Sequence, residues 1–126
     1  MERAFYQQIE DAAGYLKSIA EPPTVAVILG SGLGAFASTL EDTTIIPYGD
    51  IPHFPDVHVV GHSGQLVIGK LPNTQTRVAA LAGRVHLYEG HAVSKVVHPV
   101  RSLAKWGVQA TILTNAAGGI NPSFNV

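Results

Sequence analysis

Apolar side chains recur every three to four positions in two stretches of the chain, which is the pattern of an amphipathic α-helix. The first stretch covers residues 5–20 and stops before Pro22-Pro23, because paired prolines end a helix. The second covers residues 92–106, and Gly107 suits its C-terminal stop. Pro99 lies inside the second stretch, so it should either kink that helix or mark its true start.

Shorter apolar runs rich in β-branched residues lie between and after these helices, and such runs are typical of strands. The first and last are continuous, as expected of strands buried on both faces. A hairpin-like turn over residues 72–75 joins the third and fourth, and a short helix is predicted over residues 34–40. Residues 49–62 lack periodicity and form a long loop, a kind of segment that is usually functional. The predicted strands cover residues 24–30, 43–48, 65–71, 76–82 and 110–115.

Composition narrows the class of protein. The 126 residues are 46% hydrophobic and 13% charged, with a net charge of −1, which describes a core-rich globular chain. No basic stripe indicates binding to nucleic acid or to an anionic membrane. The chain has no cysteine, its N-terminus lacks a signal-peptide core, and no apolar run approaches the ~20 residues of a membrane span. We therefore expect a cytoplasmic protein.

Three predicted strands break into loops that are rich in glycine and in groups that bind anions. These loops are Gly30-Ser31-Gly32-Leu33-Gly34, Gly83-Arg84-Val85-His86 and Asn115-Ala116-Ala117-Gly118-Gly119. In an open α/β sheet, ligands bind beyond the carboxyl ends of the strands. Backbone N–H groups, the Ser31 hydroxyl, the Arg84 guanidinium and the His86 imidazole all suit a phosphate. The sequence therefore predicts that the three loops meet at one small anion.

Each loop also has a simpler interpretation. Gly30 and its neighbours could form a plain strand-to-helix turn, or a dinucleotide fingerprint completed by Asp50. Arg84 and Glu89 could be a surface ion pair beside a half-buried His86. The glycines after Asn115 could serve only close packing. We favour the anion site because the dinucleotide interpretation does not explain the second and third loops.

The histidines of the long loop raise the question of a metal site. His53, His58 and His62, with His86 from the later loop, are spaced too widely for a typical zinc site, so we do not expect a metal. His62 lies between Gly61 and Ser63-Gly64 and is the better candidate for a ligand contact. His91 and His98 are expected to be surface or packing residues. Ser31 lacks the context of a nucleophilic serine, so no covalent intermediate is expected.

Several motifs, in order and with family-like spacing from about residue 24 onward, resemble the trimeric purine nucleoside phosphorylases. The Arg-x-His-x-Tyr-Glu-Gly segment resembles the purine nucleoside branch rather than the methylthioadenosine phosphorylases. The matching segments are Ile28-Leu29-Gly30-Ser31-Gly32-Leu33-Gly34, Ile51-Pro52-His53-Phe54-Pro55, Gly61-His62-Ser63-Gly64, Gly83-Arg84-Val85-His86-Leu87-Tyr88-Glu89-Gly90 and Leu113-Thr114-Asn115-Ala116-Ala117-Gly118-Gly119-Ile120-Asn121-Pro122.

The resemblance implies a fold, an activity and a set of site residues. It implies a three-layer α/β/α fold around a mixed central sheet of the phosphorylase/hydrolase-like type. It also implies cleavage of purine (deoxy)ribonucleosides by inorganic phosphate to free base and pentose 1-phosphate, in a homotrimer, without metal or organic cofactor. Tyr88 and Asn115 would contact the ribose or nucleoside, and His86 would have the catalytic role. Phosphate would be held by Ser31, His62, Arg84, His86 and the backbone N–H of Ala116.

The sequence departs from the family pattern in two places. Val57-His58-Val59 stands where family members usually carry Ser-Thr-Val. The chain also ends before the base-binding half, which in the family supplies the glutamate and asparagine that activate the purine. We expect residues 1–126 to be the N-terminal part of a single phosphorylase domain, with a sheet incomplete at the C-terminus, and to be inactive and poorly soluble alone. A non-catalytic phosphate- or nucleotide-binding module is the alternative.

Overall fold

The structure is a computed structural model and describes residues 2–57 and 64–125. Its two α-helices and five strands lie close to the positions that periodicity predicts, with four of the strands between the two helices. Short 3-10 helices follow β1, β2 and β4. In chain order the elements are α1 (Glu2–Ile19), β1 (Val25–Leu29), β2 (Glu41–Pro47), β3 (Gln65–Lys70), β4 (Arg77–Ala82), α2 (Val93–Trp106) and β5 (Ala110–Leu113).

The five strands form one mixed sheet in the order β2-β3-β4-β1-β5. β1 lies parallel to both β4 and β5, whereas β2, β3 and β4 form an antiparallel meander. In the register, Leu29 is opposite Ala82 and Ile28 is opposite Leu113. The carboxyl ends of the three parallel strands, β4, β1 and β5, therefore lie side by side.

The strands distribute alternate side chains between two apolar clusters, as their period of two requires. Ala26 and Ile28 of β1 join the larger cluster, which includes buried residues of both α-helices, while Leu29 joins the smaller one on the opposite face. Phe36 and Ala37, from the 3-10 helix Gly34–Thr39, pack against the smaller cluster. The mixed α/β fold predicted from the sequence is confirmed.

The α2 helix continues through Pro99, so the proline neither starts nor ends it. The predicted stop at Gly107 is confirmed, because Gly107 has a φ of 127° and donates its N–H to the Leu103 carbonyl. A Cβ at this position would lie 2.9 Å from Cγ of Pro22, in the turn after α1. Neither α-helix in the described ranges has the combined length and apolar character to cross a membrane.

The prediction that residues 110–115 form a buried strand is wrong with respect to burial. β5 is short and exposed, with Ile112 52% and Leu113 63% accessible to solvent. It pairs with β1 along one side only, within the part of the chain that the structure describes. An apolar run indicates that a strand can be buried, but the actual burial of the strand depends on which neighbouring elements cover it.

Candidate functional site

The loops after β1 and β5 are in direct contact at the edge of the sheet. The backbone N–H of Gly30 donates to Oγ1 of Thr114 at 2.7 Å, and that hydroxyl donates to the Ile28 carbonyl at 2.8 Å. A Cβ at Gly30 would lie 3.0 Å from the Thr114 carbonyl oxygen and 3.3 Å from Cα of Asn115. Glycine is thus needed at position 30 because the two loops approach closely, and not because of its backbone conformation, since its φ is not positive.

Arg84 joins the loop after β4 to the same place. Gly83 has a φ of 121°, a conformation that favours glycine and turns the chain as it leaves β4. The half-buried Arg84 side chain then donates from Nη1 to the carbonyl of Thr114. A guanidinium has further N–H donors, and its planar fork suits an anion. The structure therefore brings together Gly30, Arg84 and Thr114, which lie just beyond the ends of β1, β4 and β5.

Tyr48 fixes the start of the Arg84 loop, and sequence reasoning missed this residue. Its buried hydroxyl donates to the Gly83 carbonyl at 2.7 Å, and its backbone N–H donates to the Gly64 carbonyl at 2.8 Å. Gly64 in turn donates its N–H to the carbonyl of Ala82. Burial raises the pKa of the Tyr48 hydroxyl, so it stays a protonated donor. A tyrosine at the end of a predicted strand, needing a partner for its hydroxyl, was the available signal.

His86 and Tyr88 form a stacked pair in and just before the 3-10 helix Leu87–Glu89. Their ring centroids are 4.8 Å apart with 14° between the planes, and Tyr88 is 84% exposed. The backbone N–H of His86 donates to Oε2 of Glu89 at 2.6 Å. Glu89 thus binds the turn that carries His86, and the predicted alternative of an Arg84–Glu89 surface pair is not formed within the described ranges.

Three other predicted site residues, Ser31, Asn115 and Ala116, are exposed and lie next to these contacts. Ser31 directly follows Gly30, while Asn115 and Ala116 directly follow Thr114. All three therefore lie on the two loops that touch, within reach of a ligand from solvent. His62 lies outside the described residues. The assignment of phosphate and ribose contacts to these residues stays a prediction.

A cavity of about 440 Å³ opens beside the strand ends, between them and α2. Most of its lining residues are apolar, and Arg84 and Arg101 are its charged lining residues. Arg84 therefore lies where this cavity meets the loops. An apolar cavity with a few polar lining residues is typical of a small-molecule site.

The topology disfavours a dinucleotide site. Asp50 ends the 3-10 helix that follows β2, and β2 is separated from β1 by both β3 and β4. Neighbouring strands are about 4.8 Å apart, so β2 lies roughly 14 Å from the glycine loop after β1. In a dinucleotide-binding fold, the carboxylate that binds the ribose lies at the end of the strand next to β1. The fingerprint formed by Gly30 and Gly32 is thus a spacing match without the topology that it requires.

Two of the described histidines, His53 and His98, contact other parts of the fold. Nε2 of His53 lies 3.0 Å from Oδ2 of Asp11, which ties the long loop to α1. His98 is 5% exposed and packs edge-on against Phe54, which agrees with its predicted packing role. No group of three metal-ligating side chains occurs within residues 2–57 and 64–125. His58, a further metal candidate, lies outside those ranges.

The sequence and the fold of this chain are similar to those of known phosphorylases. A model of the phosphorylase superfamily matches residues 24–126, which contain all three loops. The chain belongs to the phosphorylase superfamily. Purine nucleoside phosphorylase 1 of Bacillus subtilis is 48% identical over 118 residues, covering 93% of this chain and 43% of that protein. Purine nucleoside phosphorylase of Mus musculus is 46% identical over 128 residues, covering all of this chain and 44% of its own length.

Solved structures of the same superfamily share the fold. Isoform 2 of Schistosoma mansoni purine nucleoside phosphorylase, in complex with cytosine and ribose-1-phosphate, superposes with a TM-score of 0.81 and 38% identity. That match covers 93% of this chain and 41% of the S. mansoni chain. The chain thus spans less than half the length of the phosphorylases that it matches.

Proposed function

We propose that this superfamily member serves in the phosphorolysis of purine nucleosides or deoxynucleosides to free base and pentose 1-phosphate. The observation that carries the proposal is the meeting of the loops after β1, β4 and β5 through Gly30, Arg84 and Thr114. A guanidinium beside glycine-rich loops at the carboxyl ends of parallel strands suits a phosphate dianion. The similarity to purine nucleoside phosphorylases supports the choice of substrate.

In this proposal the residues divide into phosphate and sugar contacts. Ser31, Arg84 and His86 hold phosphate with their side chains, and Ala116 does so with its backbone N–H, joined by His62. Tyr88 is 84% exposed and offers an aromatic face to the ribose, with Asn115 nearby. The residues described here thus supply the phosphate and ribose part of the site.

Glycosidic cleavage explains why the phosphate must be held so firmly. The bond breaks through a state in which the sugar resembles an oxocarbenium ion. A phosphate dianion fixed beneath the sugar stabilises that positive charge and then bonds to C1′ as the purine leaves. Donors that are already in place need no reorganisation during the reaction. Arg84 and His86 act in this step by orienting the anion and, at His86, by donating a hydrogen bond.

The wider setting follows from the same resemblance. We propose purine salvage in the cytoplasm, by a homotrimer that uses phosphate as co-substrate and needs no metal or organic cofactor. Residues 1–126 would form the N-terminal part of one phosphorylase domain. These statements rest on the likeness to the purine nucleoside phosphorylases.

A chimera tests the activity directly. Residues 1–126 are joined to the part of the Bacillus subtilis phosphorylase that lies beyond the matched region, and inosine is supplied with and without phosphate. We expect phosphate-dependent release of hypoxanthine and ribose 1-phosphate, which Arg84→Ala abolishes and the surface control Lys17→Ala retains. A folded chimera that releases no base, or releases it equally well without phosphate, would contradict the proposal.

A further inference from the structure

Thr114 directly follows β5 and has contacts at the ends of both β1 and β4. Its hydroxyl donates to the Ile28 carbonyl of β1 at 2.8 Å and accepts the N–H of Gly30 at 2.7 Å. Its own N–H also donates to the Ile28 carbonyl at 3.2 Å. Its carbonyl accepts the Arg84 guanidinium from the loop after β4.

We propose that Thr114 is a positioning residue for phosphate: it sets the spacing between the Gly30 loop and Arg84 without touching the anion itself. The inference rests on the proposed function, because it assigns Thr114 to the phosphate site of that reaction. It extends the set of residues that the sequence analysis selected, which begins at Asn115 on this loop.

The hydroxyl is the specific requirement at position 114. Gly30 is buried, and an unpartnered buried N–H is costly, so removing the hydroxyl frees the Gly30 loop to seek another partner. Valine has nearly the same shape as threonine but cannot accept this hydrogen bond. Serine keeps the hydroxyl and loses only a methyl group. Comparing the valine and serine variants at position 114 thus separates the effect of the hydrogen bond from the effect of packing.

The carbonyl of Thr114 restricts Arg84 in turn. An unrestrained arginine side chain has many rotamers, and an anion must pay the entropy of ordering it. A guanidinium that already donates to a fixed carbonyl has lost most of that freedom before phosphate arrives. Because the hydroxyl of Thr114 anchors its own backbone to β1, displacing that hydroxyl shifts the carbonyl that Arg84 uses.

The experiment compares four variants of the full chain: Thr114→Val, Thr114→Ser, Thr114→Ala and Thr111→Val. Thr111 is half-buried in β5, the strand that directly precedes Thr114, and serves as the control for a lost threonine hydroxyl. Two quantities are measured by NMR: the hydrogen-exchange rate of the Gly30 amide, and the dissociation constant of inorganic phosphate at constant ionic strength.

We expect Thr114→Val to speed Gly30 exchange and to weaken phosphate binding, each by roughly tenfold, since one buried hydrogen bond is lost. Thr114→Ser and Thr111→Val should stay within about twofold of the parent chain. If the valine variant does not fold, the serine and alanine variants provide the same comparison, because they differ by one hydroxyl.

The outcomes separate this inference from the proposed function. Faster Gly30 exchange with unchanged phosphate affinity means that Thr114 is only structural, and it overturns the inference. Unchanged exchange in Thr114→Val also overturns it. A parent chain that binds no phosphate, with Gly30 protected by the hydroxyl as described, contradicts the proposed function and takes the phosphate role of Thr114 with it.

Discussion

Replacing Tyr48 by phenylalanine removes a single oxygen from the support beneath the Arg84 loop. Tyr48 is 4% exposed, and its hydroxyl donates to the Gly83 carbonyl at 2.7 Å. The variant leaves this carbonyl without its partner in a buried setting, where lost hydration is not replaced. Such an unsatisfied group costs about 1–3 kcal/mol of unfolding free energy. The packing of the ring against Phe54 is kept, so no cavity adds to this figure.

Urea unfolding followed by the fluorescence of Trp106, the one tryptophan in the chain, measures this loss. Tyr6→Phe is the matched control, because the Tyr6 hydroxyl bonds Lys105 on an exposed surface and its loss should cost less than about 0.5 kcal/mol. Equal unfolding free energies for the two variants would refute the argument that Tyr48 supports Gly83.

Two further predictions concern stability. Gly69→Ala should destabilise the protein by about 1–3 kcal/mol, because a Cβ there would lie 2.9 Å from the Glu41 carbonyl oxygen and from two side chains. Gly14→Ala, in open space on α1, should stabilise it by up to about 1 kcal/mol. Thermal unfolding of the two variants measures the opposite signs. Burial lowers the pKa of His98 below 6.5, so the unfolded chain binds more protons and stability should fall as the pH drops from about 6.5 towards that lowered pKa. In His98→Phe, urea midpoints between pH 5 and pH 7 should depend less on pH, and an unchanged dependence would contradict this.

The sequence alone predicted the helices and most of the strands, because their patterns are local. The apolar stripe of α1 and the glycine that stops α2 depend only on residues a few positions apart. The burial of β5 could not be read in this way. It depends on a sheet order that places this strand beside β1 with its other edge free among the described residues.

The candidate site shows the same division. Arg84 and the glycine loops were predicted because their residue types and positions after strands carry the signal. Tyr48 and Thr114 were missed, because a hydroxyl becomes informative only when its partner is known. The partners lie 35 positions away for Tyr48 and 84 for the Gly30 contact of Thr114. Only the strand order and register bring such pairs together.

The central claim is that separate loops hold one phosphate. The most direct test follows backbone amide shifts of the ¹⁵N-labelled chain during titration with inorganic phosphate, with sodium chloride matching the ionic strength. The account predicts that the amides of Ser31, Arg84, His86 and Ala116 shift together and saturate with one dissociation constant. Shifts confined to a single loop, different constants for different loops, or no shifts at all would contradict it.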